Sequence, residues 1–180
     1  MYEQIIIAGF GGQGVLSMGK MLAEAGMAEG REVSWLPSYG PEMRGGTSNV
    51  NVIISEQWIG SPAISAGTAT AVIAMNKPSL VKYEAYVKKG GLLFINSSII
   101  DVKAARDDIT VFYIPANEIA AELGNEKVSN MIMLGAYLKK TNIVNPETLI
   151  HQLAEVFGEK KAYLVDLNRK AIERGEAYAK

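Results

Sequence analysis

Ile5-Ile6-Ile7-Ala8-Gly9-Phe10-Gly11-Gly12-Gln13-Gly14-Val15-Leu16-Ser17-Met18-Gly19 is the stretch that decides how this chain folds. A short apolar run closed by glycine reads as a buried strand over Ile5 to Gly9, and the residues from Gly14 to Glu29 read as the helix that follows it. Gly19, Ala23 and Gly26 give that helix a small-residue face suited to close packing on a sheet. Between strand and helix, Gly9, Gly11 and Gly14 satisfy G-x-G-x-x-G in its proper strand-turn-helix setting. Glycines there open backbone angles closed to other residues, and they let main-chain N–H groups and the helix N-terminus approach a phosphate. The same turn also serves strand-to-helix reversals that bind nothing.

Strand signals go on alternating with helical ones. Glu32 to Leu36 reads as a second strand and Pro37 to Gly46 as an irregular loop. In Ser48 to Ile54 the apolar Val50, Val52 and Ile54 recur with a strand's period of two. A turn at Ser55 to Gln57 into Trp58 and Ile59 suggests a β-hairpin inserted at a sheet edge. Ala71 to Met75 is the next buried strand, followed by a helix from Ser79 to Lys88 and a stop at Gly90-Gly91. Leu92 to Asn96 and Val111 to Ile114 are two more strands, joined by a charged connection containing Asp101, Lys103, Arg106, Asp107 and Asp108. Helical patterns occupy Asn117 to Leu123, Ser129 to Lys139, Asn145 to Phe157 and Asn168 to Ala179. The expectation is an α/β fold of one domain over residues 1–180: a Rossmann-like wound, mostly parallel sheet with helices on both faces and a β-hairpin insertion. The helix at Ser129 to Lys139 has no polar face, so it is either a core helix or, through Met131 and Met133, a contact to another subunit that would also drive self-association.

Composition narrows the function. The 180 residues carry a formal net charge of -1 and are 48% hydrophobic, which suits one folded core. Near-neutral charge removes the basic footprint that nucleic acid or an anionic membrane surface requires. The opening apolar run is too short to span a bilayer and lacks a basic leader, so a cytoplasmic protein is expected. There is no cysteine, which excludes disulfides, cysteine-held zinc and iron-sulfur clusters on this chain. The single histidine, His151, falls opposite the apolar stripe Leu149, Ile150, Leu153, Val156 and Phe157, where solvent rather than catalysis is its place.

A dinucleotide site needs an acid at the end of the second strand for the ribose hydroxyls. Here that strand runs out through Trp35, Leu36, Pro37, Ser38 and Tyr39, and the acid is missing. A second constellation begins at this point: Pro37-Ser38-Tyr39-Gly40-Pro41-Glu42-Met43-Arg44-Gly45-Gly46-Thr47-Ser48. It lies at the carboxyl end of a strand, where open α/β sheets place ligands. Arg44 can fork onto phosphate or carboxylate, and Tyr39 can stack or hydrogen-bond. The plainer alternative is a surface loop in which Glu42 and Arg44 pair locally.

Gly9 to Val15 (GFGGQGV), Ser38 to Asn49 (SYGPEMRGGTSN) and Val128 to Ala136 (VSNMIMLGA) together resemble the gamma subunit, or gamma domain, of 2-oxoacid:ferredoxin oxidoreductases, nearly end to end. The resemblance implies a subunit that is not catalytic alone. It would work beside alpha, beta and ferredoxin-like delta chains that hold thiamine diphosphate, magnesium and iron-sulfur clusters, and would form part of the coenzyme A site. The assembled enzyme would convert a 2-oxoacid and coenzyme A to acyl-CoA and carbon dioxide while reducing ferredoxin. On this view Gly9, Gly11, Gly12, Gln13, Gly14, Ser38, Tyr39, Glu42, Arg44, Gly45 and Asn130 are the binding residues, and no residue is catalytic. Met43 before Arg44 looks closer to the 2-oxoglutarate and branched-chain branches than to the pyruvate branch. The competing readings are a stand-alone Rossmann-like NAD(P) reductase, which would bind NADH and turn over unaided, and a non-catalytic nucleotide-binding scaffold.

Overall fold

The opening apolar run builds the middle of the molecule. In the computed structural model, which describes residues 1–40 and 46–179 and only the backbone of Tyr39, it forms β1 (Tyr2–Phe10). Ile5, Ile6 and Ile7 are each 0% exposed. Period-two alternation sends Ile5 and Ile7 into one core and Ile6 into a second on the other face, and each full burial contributes about 1.5–3 kcal/mol. A strand flanked by apolar cores on both sides is a central strand.

The remaining strands are β2 (Glu32–Tyr39), β3 (Thr47–Ser55), β4 (Ala69–Ala74), β5 (Val87–Asn96) and β6 (Thr110–Ile114), in one sheet of order β2-β3-β1-β4-β5-β6. β1, β4, β5 and β6 run parallel, while β3 lies antiparallel between β1 and β2. The helices are α1 (Val15–Ala28), α2 (Lys77–Tyr83), α3 (Ala116–Glu122), α4 (Ser129–Thr141), α5 (Pro146–Phe157) and α6 (Ala162–Tyr178). Residues of α1, α3, α4, α5 and α6 share the core with Ile5, Ile7, Ile73 and Phe94, whereas α2 packs with Ile6, Val72 and Ile95 on the other face. Helices thus cover both faces, unevenly. The wound, mostly parallel α/β architecture is the expected one.

Three expectations need correction. The hairpin joins β2 to β3, pairing Tyr39 with Ser48 and Glu32 with Ser55, and Trp58 and Ile59 belong to no strand. Pro37 stays inside β2 because β2 is the sheet edge, where a missing N–H can face solvent. The helix expected from Ser79 to Lys88 ends at Tyr83, and a 3-10 turn at Glu84–Tyr86 leads directly into β5. Gly90 and Gly91 therefore lie in β5 at an irregularity of the sheet; Gly90 has a φ of 73°, and a Cβ on Gly91 would stand 2.9 Å from the carbonyl oxygen of Thr70. Finally, α6 starts at Ala162, ahead of the expected Asn168.

Residues 129–138 of α4 are all buried within this chain. The helix lacks a polar face because none of its faces reaches water, so the ground for expecting it to contact a second subunit, or to drive self-association, falls away. Gly135 of α4 and Gly175 of α6 explain how the two helices cross backbone to backbone: a Cβ on Gly175 would run into the Ile132 carbonyl, and one on Gly135 into Ile172. On α1, Gly19 faces Val50 and Gly26 faces Val33 and Ile54, the close sheet contact its small residues suggested. Among the described residues no helix is long and apolar enough to cross a membrane.

Candidate binding site at the carboxyl ends of β1 and β4

From β1 the chain crosses by α1 to β2 on one side, and from β4 it crosses by α2 to β5 on the other. The crevice between the carboxyl ends of β1 and β4 is therefore the topological switch point of the sheet, the place where such sheets bind ligands. Its floor is tied by the Met75 N–H donating to the Ala8 carbonyl at 2.8 Å.

The glycine turn sits over this floor. Gly9 is held tightly, since a Cβ there would lie 2.8 Å from that of Met75 and 2.9 Å from Cγ2 of Val15. Gln13 closes the turn from within: its Oε1 accepts the Phe10 N–H at 2.7 Å, and its Nε2 donates to the Met75 carbonyl at 3.0 Å. Its amide is thus spent on fastening β1 to β4, which makes it a positioning residue for the turn. Gly11 and Gly12 are exposed, and Gly12 has a φ of 96°. Gly14, with a φ of 74°, begins α1 without a side-chain cap, and the first turn of that helix holds no acid. Its leading N–H groups are therefore available to an anion. Exposed glycine backbone and an uncapped, acid-free helix start are what the diphosphate of a nucleotide or of coenzyme A would need, so the residues present fit such a group.

The second constellation meets the first. The Gly11 N–H donates to the Gly46 carbonyl at 2.9 Å, and Gly40 N–H donates to the Thr47 carbonyl at 2.9 Å. Ser38 is exposed near the end of β2, paired in register with Asn49. Glu42, Arg44 and Gly45 lie outside the described residues, as does the Tyr39 side chain. Asn130, at the start of α4, joins the glycine turn from the other side: a Cβ on Gly14 would lie 3.0 Å from its Cγ. Residues far apart in sequence are brought to one place: Gly9 to Gly14, Gly46 and Asn130.

Two residues there were not singled out from the sequence. Asn76, just past β4, is 1% exposed; its Oδ1 accepts the Ser79 N–H at 2.9 Å as the cap of α2, and its Nδ2 has no partner among the described residues. The asparagine before Lys77-Pro78 was a local capping signal that could have been read. Asn168 of α6 lines a cavity beside Asn130, and only tertiary packing places it there. His151 is exposed beside Glu155, as its position opposite the apolar stripe required. Among the described residues no cluster of three or more histidine, cysteine or acidic side chains could hold a metal ion.

The topology also bears on dinucleotide binding. The ribose-holding acid belongs on a parallel strand next to β1. Here β3, antiparallel, takes that place, and the residues it sets beside the turn are Thr47 and Ser48.

The comparisons with known proteins bear on the family and the fold. A family model described as pyruvate ferredoxin/flavodoxin oxidoreductase matches residues 4–178. The ketoisovalerate oxidoreductase subunit VorA of Methanothermobacter marburgensis is 38% identical over 177 residues, covering 98% of this chain but only 36% of VorA. The gamma subunit of a keto/oxoacid ferredoxin oxidoreductase from Geobacter sulfurreducens superposes with a TM-score of 0.81 at 31% identity, over 98% of both chains. The 2-oxoglutarate:ferredoxin oxidoreductase of Magnetococcus marinus, solved with 2-oxoglutarate, coenzyme A and succinyl-CoA, superposes with a TM-score of 0.89 at 25% identity, over 99% of this chain and 31% of that one. The chain thus spans 36% of the length of VorA. With the match running nearly end to end, it belongs to the pyruvate ferredoxin/flavodoxin oxidoreductase family, as a gamma-type domain.

Proposed function

We propose that this chain is the gamma-type part of a 2-oxoacid:ferredoxin oxidoreductase and supplies one wall of its coenzyme A site. The observation that carries the reading is the hydrogen bond from Gly11 to Gly46, which joins the glycine turn and the β2–β3 connection at the switch point of the sheet. Coenzyme A, present in the Magnetococcus structure, brings a diphosphate suited to the uncapped start of α1. Gly12 and Gly14 would offer backbone N–H groups to it, Gly11 and Gln13 would hold the turn, and Arg44, with Tyr39, Glu42 and Gly45, would contribute the remaining contacts to the coenzyme.

The chemistry of oxidative decarboxylation would come from thiamine diphosphate, magnesium and iron-sulfur clusters on alpha, beta and delta chains. What this chain contributes is binding and orientation: an anion cradle at one end of coenzyme A that leaves the thiol free to reach the partner chains. The likeness to VorA and to the 2-oxoglutarate enzyme supports a branched-chain or 2-oxoglutarate substrate over pyruvate. Such an assembly would work in the cytoplasm.

The test is Arg44→Ala in the co-expressed assembly. Losing one charge-assisted bond of about 1.5–3 kcal/mol should raise the KM for coenzyme A about tenfold or more. The oxoacid KM and the single-turnover reduction of the acceptor by oxoacid alone should hold. Loss of that first half-reaction with an unchanged coenzyme A affinity would refute the assignment.

A further inference from the structure

β2 is the edge of the sheet, and among the described residues nothing pairs with its outer side. The bond that closes the hairpin fixes which groups face that way: the Gly40 N–H donates to the Thr47 carbonyl at 2.9 Å. Bonded and non-bonded positions alternate along an antiparallel pair, so Ser34, Leu36 and Ser38 bond to β3, while Val33, Trp35, Pro37 and Tyr39 turn their backbone groups outward. Such an edge is a template for another strand, and proline is one of the devices that blunt it. Pro37 blunts it only in part, because its carbonyl still faces out. In the middle of the strand Trp35 and Leu36, on opposite faces of the sheet, are each 41% exposed.

The order of residues says what this edge fits. Around Leu36 the strand reads Ser34-Trp35-Leu36-Pro37-Ser38, nearly the same in both directions. A second copy laid antiparallel, with a two-fold axis at Leu36, would set serine against serine, leucine against leucine and each Trp35 against a Pro37. An axis at Trp35 would instead set leucine against serine. The backbone closes on the same axis. Each Trp35 N–H would donate to the Pro37 carbonyl of the other copy, and Val33 and Tyr39 would each give and take a bond across the axis. Of these outward groups, the Trp35 carbonyl opposite each missing proline N–H alone stays unpaired. Glu32, the one charged residue of β2, would face Gly40, so no like charges meet.

We infer that β2 is a self-association edge: two copies of this chain join their sheets antiparallel through β2, about a two-fold axis at Leu36. The buried α4 has no part in this contact, and the contact does not depend on the coenzyme A reading. A single strand pair buries less than a standard interface, so the dimer is weak, half-formed at on the order of 10 μM.

The experiment is sedimentation velocity of the full chain over a range of concentrations, in which monomer should give way to dimer. Leu36 belongs to neither apolar core, so Leu36→Lys and Leu36→Glu should both fold, which a circular-dichroism melt checks. Each substitution sets like charges against each other across the axis and should weaken the dimer about tenfold or more. An equimolar mixture of the two variants sets lysine against glutamate and should restore association to near the native level. A native chain that stays monomeric up to roughly 1 mM would overturn the inference. A dimer indifferent to both substitutions would place the contact on another surface. Two weakened variants that their mixture does not rescue would show that residue 36 does not meet its own copy, and the two-fold pairing of β2 would be wrong.

Discussion

Gly14→Ala, taken with Asn130→Ala, measures how the glycine turn and α4 are fitted together. Gly14 has a φ of 74°, and an L-residue held there loses about 1–2 kcal/mol. The added Cβ also meets the Asn130 side chain, with Cγ at 3.0 Å and the amide nitrogen closer still, an overpacking worth about 1–3 kcal/mol. The single substitution should therefore cost about 2–5 kcal/mol of folding stability. Asn130→Ala alone gives up the bond to the Met131 N–H and leaves a small void, about 1–2 kcal/mol. In the double variant the clash is gone and the backbone strain remains, so the two losses should fall short of their sum by about 1 kcal/mol or more. Denaturant unfolding of the four proteins reads this coupling. Simple additivity would mean that Asn130 does not press on Gly14, and the joining of α4 to the glycine turn would have to be abandoned.

Other consequences follow from the packing and from one half-buried acid. Gly175→Ala should cost about 2–4 kcal/mol, because its Cβ enters the Ile132 carbonyl and lies 3.0 Å from the Ala136 nitrogen; a loss below about 1 kcal/mol in denaturant melts would show that α4 and α6 can part freely. Burial lifts the Glu3 carboxyl above its ordinary 4.5, against the opposing pull of Thr70, the Tyr137 hydroxyl and Lys88. The folded chain then keeps a proton that the unfolded chain releases from about pH 4.5 upward, so this group's contribution to stability falls as pH rises through the window between the two values. Glu3→Gln should flatten that part of the stability–pH curve and raise stability at neutral pH; an unchanged slope would place the Glu3 carboxyl in water.

What the sequence made legible was local. β1, the glycine turn and α1 were readable because a buried run, the three spaced glycines and the small face of α1 each signal within a few residues. The pairing of β2 with β3 was not, because Pro37 reads as a break unless one knows that β2 is an edge, and edge position is a property of the whole sheet. The end of α2 was misplaced for a similar reason: Tyr83 to Lys88 suits a helix locally, and the draw of β5 into the sheet beside β4 decides otherwise. Gln13 was legible as important but not as a clasp, since its partner Met75 is 62 residues away. Asn168 gave no signal at all. Its place in the cavity wall depends on α6 packing beside Asn130, a contact no window of sequence contains.

The most direct test of the central claim is hydrogen exchange of the co-expressed assembly with and without coenzyme A. Binding at the switch point should slow exchange of the amides from Gly11 to Ser17 and from Gly46 to Asn49, the two segments joined by the Gly11–Gly46 bond, and leave the amino ends of β4 and β5 unchanged. Coenzyme A binding tightly with no protection in either segment would contradict the account, and would put the coenzyme site on the partner chains alone.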